Sequence, residues 1–141
     1  MAITAAFDLG VHQFDAVNAL TNSALDETVC YDYPDGFQQP GLCLLLLQAL
    51  YGLRCSLLLW LRELSSTLTT LGLTKSTWDR CLFISNKLTV FFYVNDIVAL
   101  YRTADQARLE EFQEALTSRY EIRDIGQLSW FLGIRILRNR A

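Results

Sequence analysis

The feature that most constrains the fold of this chain is a twenty-residue apolar segment, LCLLLLQALYGLRCSLLLWL, which runs from Leu42 to Leu61. A helix of that length would reach across the hydrocarbon core of a bilayer. Gly52 and Arg54 lie in the middle of the segment, however, and a central arginine costs about 2.5–3.5 kcal/mol to insert. We therefore expect no membrane span. The segment instead predicts a strand buried on both faces over residues 42–50, a turn at Gly52 and a helix over roughly Ser56 to Leu71.

The predicted helix carries its apolar residues at helical spacing. One stripe steps by four and three residues and consists of Leu57, Leu61, Leu64, Leu68 and Leu71. Gly72 then provides a natural C-terminal stop. Leu58, Leu59 and Trp60 add apolar surface beyond that stripe, so the helix has more apolar surface than one core contact requires.

The composition is that of a folded domain with an acidic charge balance. The chain has 141 residues, 52% of them hydrophobic, and we expect a single domain over residues 1–141. The formal net charge of −3 differs from the basic balance of most nucleic-acid-binding domains. Residues 1–4 have neither the basic nor the apolar region of a signal peptide, so we expect an intracellular protein, cytoplasmic or nuclear.

The cysteines suggest neither a metal site nor a cross-link. Cys30, Cys43, Cys55 and Cys81 show none of the C-x-x-C spacing of zinc and redox sites. This pattern fits a reducing compartment, in which the four thiols stay free and serve as small buried hydrophobes.

Outside the leucine-rich segment, the pattern of apolar residues and turns predicts alternating strands and helices. Strands are expected over residues 11–16, 28–33, 81–85, 88–94, 96–101 and 128–137, with a short helix over residues 18–27. Thr103 and Gln106 form a capping-box pair at the start of a last helix, whose buried face would carry Leu109, Phe112 and Leu116. The order predicts an α+β fold in which helices pack on one face of an antiparallel sheet, in the ferredoxin-like style.

Two aspartates stand in unusual surroundings for solvated carboxylates. Asp15 and Asp96 each lie within or beside a predicted strand, and Asn95 and Asp96 interrupt the apolar stretch VFFYVNDIVAL. If neighbouring strands bring both carboxylates to one edge of the sheet, they can share a hard cation such as magnesium. Cations held in this way can activate a hydroxyl group and stabilise a leaving pyrophosphate. The alternative interpretation of Asn95 is an ordinary turn residue that tolerates left-handed backbone.

Four longer segments carry a family resemblance. They are HQFDAVNALTNSALDETVCYDYPDGF, LCLLLLQALYGLRCSLLLW, FFYVNDIVAL and IRDIGQLSWFLGIRI, in this order along the chain. Together they closely resemble the reverse transcriptase of copia-type retrotransposons, from about Ala2 to Arg138. The resemblance implies the palm fold of an RNA-directed DNA polymerase that uses Mg²⁺ or Mn²⁺ and has nucleic acid as its partner.

The resemblance also implies roles for single residues. Asp15 matches the first metal-binding aspartate of the family, and Tyr93 to Asp96 match its Y-V-D-D hairpin. Asp96 fills the second aspartate of that hairpin, whereas Asn95 replaces the first. The resemblance thus implies Asp15 and Asp96 as catalytic metal ligands beside a degenerate Asn95. Because asparagine carries no charge, we expect weaker cation binding and impaired polymerisation.

Further departures from the family pattern replace polar groups by apolar ones. The resemblance assigns Leu20, Tyr93 and Cys55 to the nucleotide site, with Leu20 in place of an aromatic steric gate and Cys55 in place of a glutamine. Leu44 to Leu47 stand where the family usually has lysines, and Leu57-Leu58 where it has a Pro-Arg dipeptide. These changes predict a surface that binds a nucleic-acid template weakly.

The family resemblance implies a palm alone. We expect the fingers, thumb and ribonuclease H regions, which the family places on either side of the palm, to be missing from this sequence. Three functions stay open at this point. The chain is an impaired polymerase domain, a non-catalytic module that binds a protein or a second copy through its leucines, or a nucleic-acid-binding domain. The last would use scattered arginines, namely Arg102, Arg108, Arg119, Arg123, Arg135, Arg138 and Arg140.

Overall fold

The computed structural model describes residues 2–138 of the chain. The strands are β1 (Gly10–Ala16), β2 (Ala24–Tyr31), β3 (Leu44–Gln48), β4 (Thr74–Lys75), β5 (Leu82–Ile84), β6 (Leu88–Tyr93), β7 (Asp96–Tyr101), β8 (Ile122–Gln127), β9 (Trp130–Phe131) and β10 (Ile134–Arg135). The α-helices are α1 (Ala2–Ala6), α2 (Ser56–Thr70) and α3 (Gln106–Thr117). Short 3₁₀ turns cover Ala19–Asn22 and Thr103–Asp105.

Six strands form one sheet, in the order β4-β5-β6-β7-β1-β8, and every neighbouring pair is antiparallel. β6 and β7 follow each other through the two-residue turn Val94–Asn95. β1, from the beginning of the chain, lies between β7 and β8. The expected mixture of helices with an antiparallel sheet is confirmed.

The main core lies between one face of this sheet and the two longer helices. Alternate strand residues such as Phe14, Ile97 and Val90 share that face and belong to one buried cluster with residues of α2 and α3. The buried face of α3 is as predicted and consists of Leu109, Phe112 and Leu116. Phe112 meets Phe14 edge to face, with ring centroids 6.2 Å apart.

Helix α2 has the predicted bounds, but its buried face differs from the predicted stripe. Leu64 and Leu68 are buried as expected, whereas Leu57 is 56% exposed. Trp60 and Thr67 are buried instead. Trp60, Leu64, Thr67 and Leu68 also follow helical spacing, so the buried face is rotated from the predicted stripe toward Trp60.

Strand β3 is not buried on both faces, so that expectation was wrong. It pairs only with β2, in a separate two-stranded ribbon. Leu44, Leu45 and Leu47 are exposed, Leu47 by 75%. The apolar run correctly predicted a strand, but an apolar run does not say whether other elements cover it. Across residues 2–138, none of the helices combines the length and the apolarity that crossing a bilayer needs.

Two further expectations, a helix over residues 18–27 and a single strand over residues 128–137, were wrong. Residues 18–27 do not form a helix, since the Ala19–Asn22 turn is followed directly by β2. Residues 128–137 do not form one strand either. They contain β9 and β10, joined as a hairpin by Leu132 and Gly133, both of which have positive φ (49° and 77°). Such a pair of left-handed residues forms a tight hairpin turn, which breaks the apolar run.

The capping box expected at Thr103 and Gln106 is also absent from this part of the described chain. No side chain caps α3 at its N-terminus, and Thr103–Asp105 forms a 3₁₀ turn that leads into the helix. Turns of this kind are common at helix starts, because they satisfy backbone groups without a side chain.

Candidate functional site

Asp15 and Asp96 are cross-strand neighbours. In the sheet register Asp15 of β1 lies opposite Asp96 of β7, and Asp96 in turn lies opposite Tyr93 of β6. On its other side Asp15 lies opposite Arg123 of β8. Directly opposed residues of an antiparallel pair project from the same face, with Cα atoms about 4.5–5.5 Å apart. These four side chains therefore form a cross-strand row, on the sheet face opposite to Phe14.

The turn between β6 and β7 places Asn95 at the end of this row. Val94, its first residue, has φ of 54°, a left-handed conformation that a β-branched residue rarely adopts. Two hydrogen bonds hold the turn in this form. Trp60 of α2 donates its indole N–H to the Val94 carbonyl at 2.6 Å, and the Ala16 amide donates to the Asn95 carbonyl at 2.8 Å. Strain of about 1–3 kcal/mol in such a residue persists only where its surroundings impose it.

Each carboxylate of the pair accepts a hydrogen bond from a side-chain amide. Asn95 donates its amide N–H to Oδ1 of Asp15, and Gln13 donates Nε2–H to Oδ1 of Asp96 at 2.9 Å. Like charges directly opposite each other destabilise a strand pair, and hydrogen bonds to the charged oxygens offset part of that cost. The site is therefore two carboxylates and two amides bonded pairwise.

Gln13 is the residue of this site that sequence reasoning missed. It is buried and lies two positions before Asp15 on β1, so both side chains leave the strand on the same face. The proximity of Gln13 to Asp15 could have been predicted, because residues two apart on a strand share one face. Its bond to Asp96 depends on the register of β7 and could not be read from β1 alone.

The three residues assigned to nucleotide contact lie in different surroundings. Tyr93 belongs to the cross-strand row and is exposed. Cys55 is half-buried directly before α2. Leu20 lies in the core with only 4% of its surface exposed, so it offers almost no area to a ligand in this conformation. Their roles toward a nucleotide stay predictions.

The two carboxylates and the two amides bonded to them suit a hard cation. Carboxylate and amide oxygens are the ligands that Mg²⁺ and Mn²⁺ accept, together with water and phosphate. Asp15 and Asp96 could hold such an ion, whereas the Asn95 amide directs its N–H group, not its oxygen, at Asp15. Within residues 2–138, no cluster of three or more His, Cys, Asp or Glu side chains is placed to hold a metal. The two aspartates thus provide fewer anionic ligands than a triad would.

A second polar cluster joins β8 to β1 on the face of the sheet opposite to the row. His12 Nε2 lies 2.5 Å from Oδ1 of Asp124, which also accepts the backbone amide of Gly126 at 2.8 Å. Gln113 of α3 donates to Oδ2 of Asp124 at 3.0 Å. Burial acts to raise the pKa of Asp124, but these hydrogen bonds outweigh it, and the pKa lies below its usual value. His12 thus has a structural partner, as expected of an ordinary strand histidine.

Several of the arginines considered for nucleic acid are engaged within the domain. The ion pairs are Arg108 with Glu111, Arg119 with Glu63 and Arg138 with Asp8. Arg123 lies in the cross-strand row, and Arg140 lies outside the described residues. Paired arginines attract phosphate less strongly, because their charge is already compensated. The scattered arginines therefore give the hypothesis of nucleic-acid binding little support.

The mixed α/β fold, built on antiparallel sheets, is compatible with a reverse transcriptase domain. A family model described as reverse transcriptase (RNA-dependent DNA polymerase) matches residues 1–141, and the chain belongs to this family. The resemblance to copia-type retrotransposons is confirmed as well, since the curated relatives are proteins of such elements.

The chain is 24% identical to the Retrovirus-related Pol polyprotein from transposon TNT 1-94 of Nicotiana tabacum, over 100% of the chain and 11% of that protein. It is 31% identical to the Pol polyprotein from transposon RE1 of Arabidopsis thaliana, over 91% of the chain and 9% of the relative. A putative transposon Ty5-1 protein of Saccharomyces cerevisiae is 26% identical over 86% of the chain and 41% of its own length. The chain thus spans about a tenth of the two polyproteins. No solved structure gives a significant match.

Proposed function

We propose that this chain is the palm part of a copia-type reverse transcriptase and that its polymerase site is impaired. The observation that carries the proposal is the direct cross-strand pairing of Asp15 with Asp96, beside a turn that presents Asn95. The antiparallel sheet with both longer helices contributing to one core supports the ferredoxin-like arrangement of a palm. When bound, a divalent cation would supply charge stabilisation at the transferring phosphoryl group.

The impairment follows from what Asn95 does in the site. It provides no negative charge, and its N–H group is bonded to the same carboxylate that a cation would use. The N–H group occupies one of the acceptor positions of the Asp15 carboxylate and directs a partial positive charge at the oxygens that a cation would use. Hydrogen bonds to charged groups contribute about 1.5–3 kcal/mol, so a cation that takes the place of this donor would bind roughly tenfold or more weakly than one that displaces nothing.

Titration of the folded chain with Mn²⁺ tests the proposed cation site. We expect weak binding by the wild-type chain, none by Asp15→Ala, and tighter binding by Asn95→Asp. Asp35→Ala is the matched control, because Asp35 is an exposed carboxylate in the loop between β2 and β3. Equal affinity of the wild-type chain and Asp15→Ala would show that the site does not hold the ion.

Primer extension tests the activity separately. The wild-type chain should incorporate few or no nucleotides, and Asn95→Asp should incorporate more in the presence of Mg²⁺ or Mn²⁺. Rapid DNA synthesis by the wild-type chain would contradict the proposed impairment. If Asn95→Asp binds the cation but incorporates nothing, the palm alone is not a polymerase.

A second candidate function is self-association, which the exposed leucines favour. The exposed leucines, together called the leucine surface, lie on two elements, with Leu44, Leu45 and Leu47 on β3 and Leu57 and Leu58 on α2. Exposed apolar area of this kind usually marks an interface, and the matching partner proposed here is a second copy of the chain.

Light scattering at a concentration of tens of micromolar tests self-association directly. We expect a dimer for the wild-type chain and a monomer for the double variant Leu45→Glu, Leu47→Glu. The control is Trp78→Glu, since Trp78 is also an exposed apolar residue but lies outside the leucine surface. A wild-type chain that is monomeric under these conditions would exclude this function.

A further inference from the structure

Two cysteines outside the polymerase site lie together on the ribbon of β2 and β3. Cys30 of β2 lies opposite Leu45, and Cys43 stands two residues before Leu45, so the two cysteines are diagonal neighbours on one face. The register brings the two thiols near each other, and the Cys30 thiol raises the pKa of the Cys43 thiol. Both residues are exposed, contrary to the expectation of buried cysteines.

The position suits a disulfide that can form and break. Diagonal neighbours in an antiparallel pair have Cα atoms about 7–8 Å apart, slightly beyond the range of about 4.4–6.8 Å that a disulfide spans. Cys43 precedes β3 and belongs to no strand, so its backbone can move toward Cys30 without breaking the ladder. A bond that needs such a movement carries some strain, and strained, exposed disulfides are the reducible ones.

We propose that Cys30 and Cys43 form a reversible redox site, in which a small disulfide such as oxidised glutathione converts the two thiols into an intramolecular disulfide. One cysteine thiolate attacks the oxidant, forms a mixed disulfide and releases the first glutathione thiol. The second cysteine then attacks the cysteine sulfur of that mixed disulfide and releases the second glutathione thiol. Two protons and two electrons leave the pair, and the oxidant accepts both electrons.

The surroundings of the pair set the pH dependence of the reaction. The neighbouring Cys30 thiol is the largest cause that raises the pKa of the Cys43 thiol, with smaller contributions from desolvation and from the negative charge of Asp32. Because the thiolate is the nucleophile, a raised pKa slows exchange at neutral pH. Cross-linking should accelerate as the pH rises toward that pKa.

The disulfide would close the loop between β2 and β3. This loop contains the turn 34–36 and the exposed ring of Phe37, and its two ends meet at the cysteine pair. Linking the ends limits the conformations of the loop in the folded and the unfolded chain. The other two cysteines, Cys55 and Cys81, are half-buried and belong to other parts of the fold.

Oxidation of the purified, folded chain with oxidised glutathione tests this site. Intact mass should fall by two hydrogen atoms, and peptide mapping without reductant should link Cys30 to Cys43. A reducing thiol should reverse the change. Cys30→Ser should lose the cross-link and retain glutathione on Cys43, whereas Cys81→Ser should cross-link like the wild-type chain.

The same oxidation in concentrated urea controls for chance pairing. In the unfolded chain links should spread among all four cysteines, so selectivity for the pair must come from the fold. Stable glutathione adducts on both Cys30 and Cys43 would overturn the proposal, as would a link between two chains in place of one within a chain. The inference does not depend on the proposed polymerase site, because neither cysteine contributes to the cross-strand row.

Discussion

Replacing Asn95 by aspartate places a third carboxylate beside Asp15, and we expect the variant to be less stable until a divalent cation binds. The substitution removes the N–H donor that Asp15 accepts from, which costs about 1.5–3 kcal/mol for a hydrogen bond to a charged group. It also adds repulsion between two charges. At about 4 Å this repulsion is roughly 4 kcal/mol for an effective dielectric constant of about 20.

Solvent reduces both contributions, because the side chains of Asp15 and Asn95 are only half-buried. We therefore expect the free energy of unfolding of Asn95→Asp to fall by about 2–4 kcal/mol in the absence of cations. A cation at about a hundred times its dissociation constant should return about 2.7 kcal/mol, since it binds only the folded chain.

Urea unfolding with a chelator and with Mn²⁺ measures both effects. Asn86→Asp is the matched control, because it makes the same change of charge in the exposed turn between β5 and β6. The control should lose little stability and gain none from Mn²⁺. If Asn95→Asp is as stable as the wild-type chain with the chelator and is not stabilised by Mn²⁺, the paired-carboxylate reasoning is refuted.

Three further outcomes follow from the contacts around the site. Trp60→Phe should lower the free energy of unfolding by about 1–3 kcal/mol in urea titrations, because the Val94 carbonyl loses its indole donor. Tyr120→Phe should cost about 1–2 kcal/mol by the same measurement, since the Tyr120 hydroxyl bonds to the buried Thr67. The folded-state pKa of Asp124 is lowered, so its contribution is present above the unfolded-state value of about 3.9 and is lost as the pH falls through the folded-state pKa. Asp124→Asn should therefore flatten the acid limb of the stability–pH curve, and an unchanged limb would contradict this assignment.

Much of the strand pattern could be predicted because alternation and turns are local signals. β1, β6 and β7 appear within a residue or two of their expected bounds, and the turn at Asn95 fixes the pairing of Tyr93 with Asp96. The pairing of Asp15 with Asp96 joins strands about eighty residues apart, so it rested on the family resemblance and not on any local pattern.

The features that could not be predicted depend on partners distant in the sequence. The exposure of Leu47 follows from β3 pairing only with β2, and the hydrogen bond of the Trp60 indole follows from the position of the Val94 carbonyl. The bond from Gln13 to Asp96 likewise requires the register between β1 and β7. A single sequence contains the residues of such contacts but not the distances between them.

The indole of Trp60 connects helix α2 to the tip of the β6–β7 hairpin through its hydrogen bond to the Val94 carbonyl. Valine has little intrinsic preference for the left-handed form, so the indole of the docked helix and the Ala16 amide together keep the tip in this shape. An event that shifts the helix, such as a partner that binds its exposed leucines, would therefore remove one of the two hydrogen bonds that hold the turn. The Trp60 bond thus links the exposed side of the helix to the turn that directly precedes the aspartate of β7.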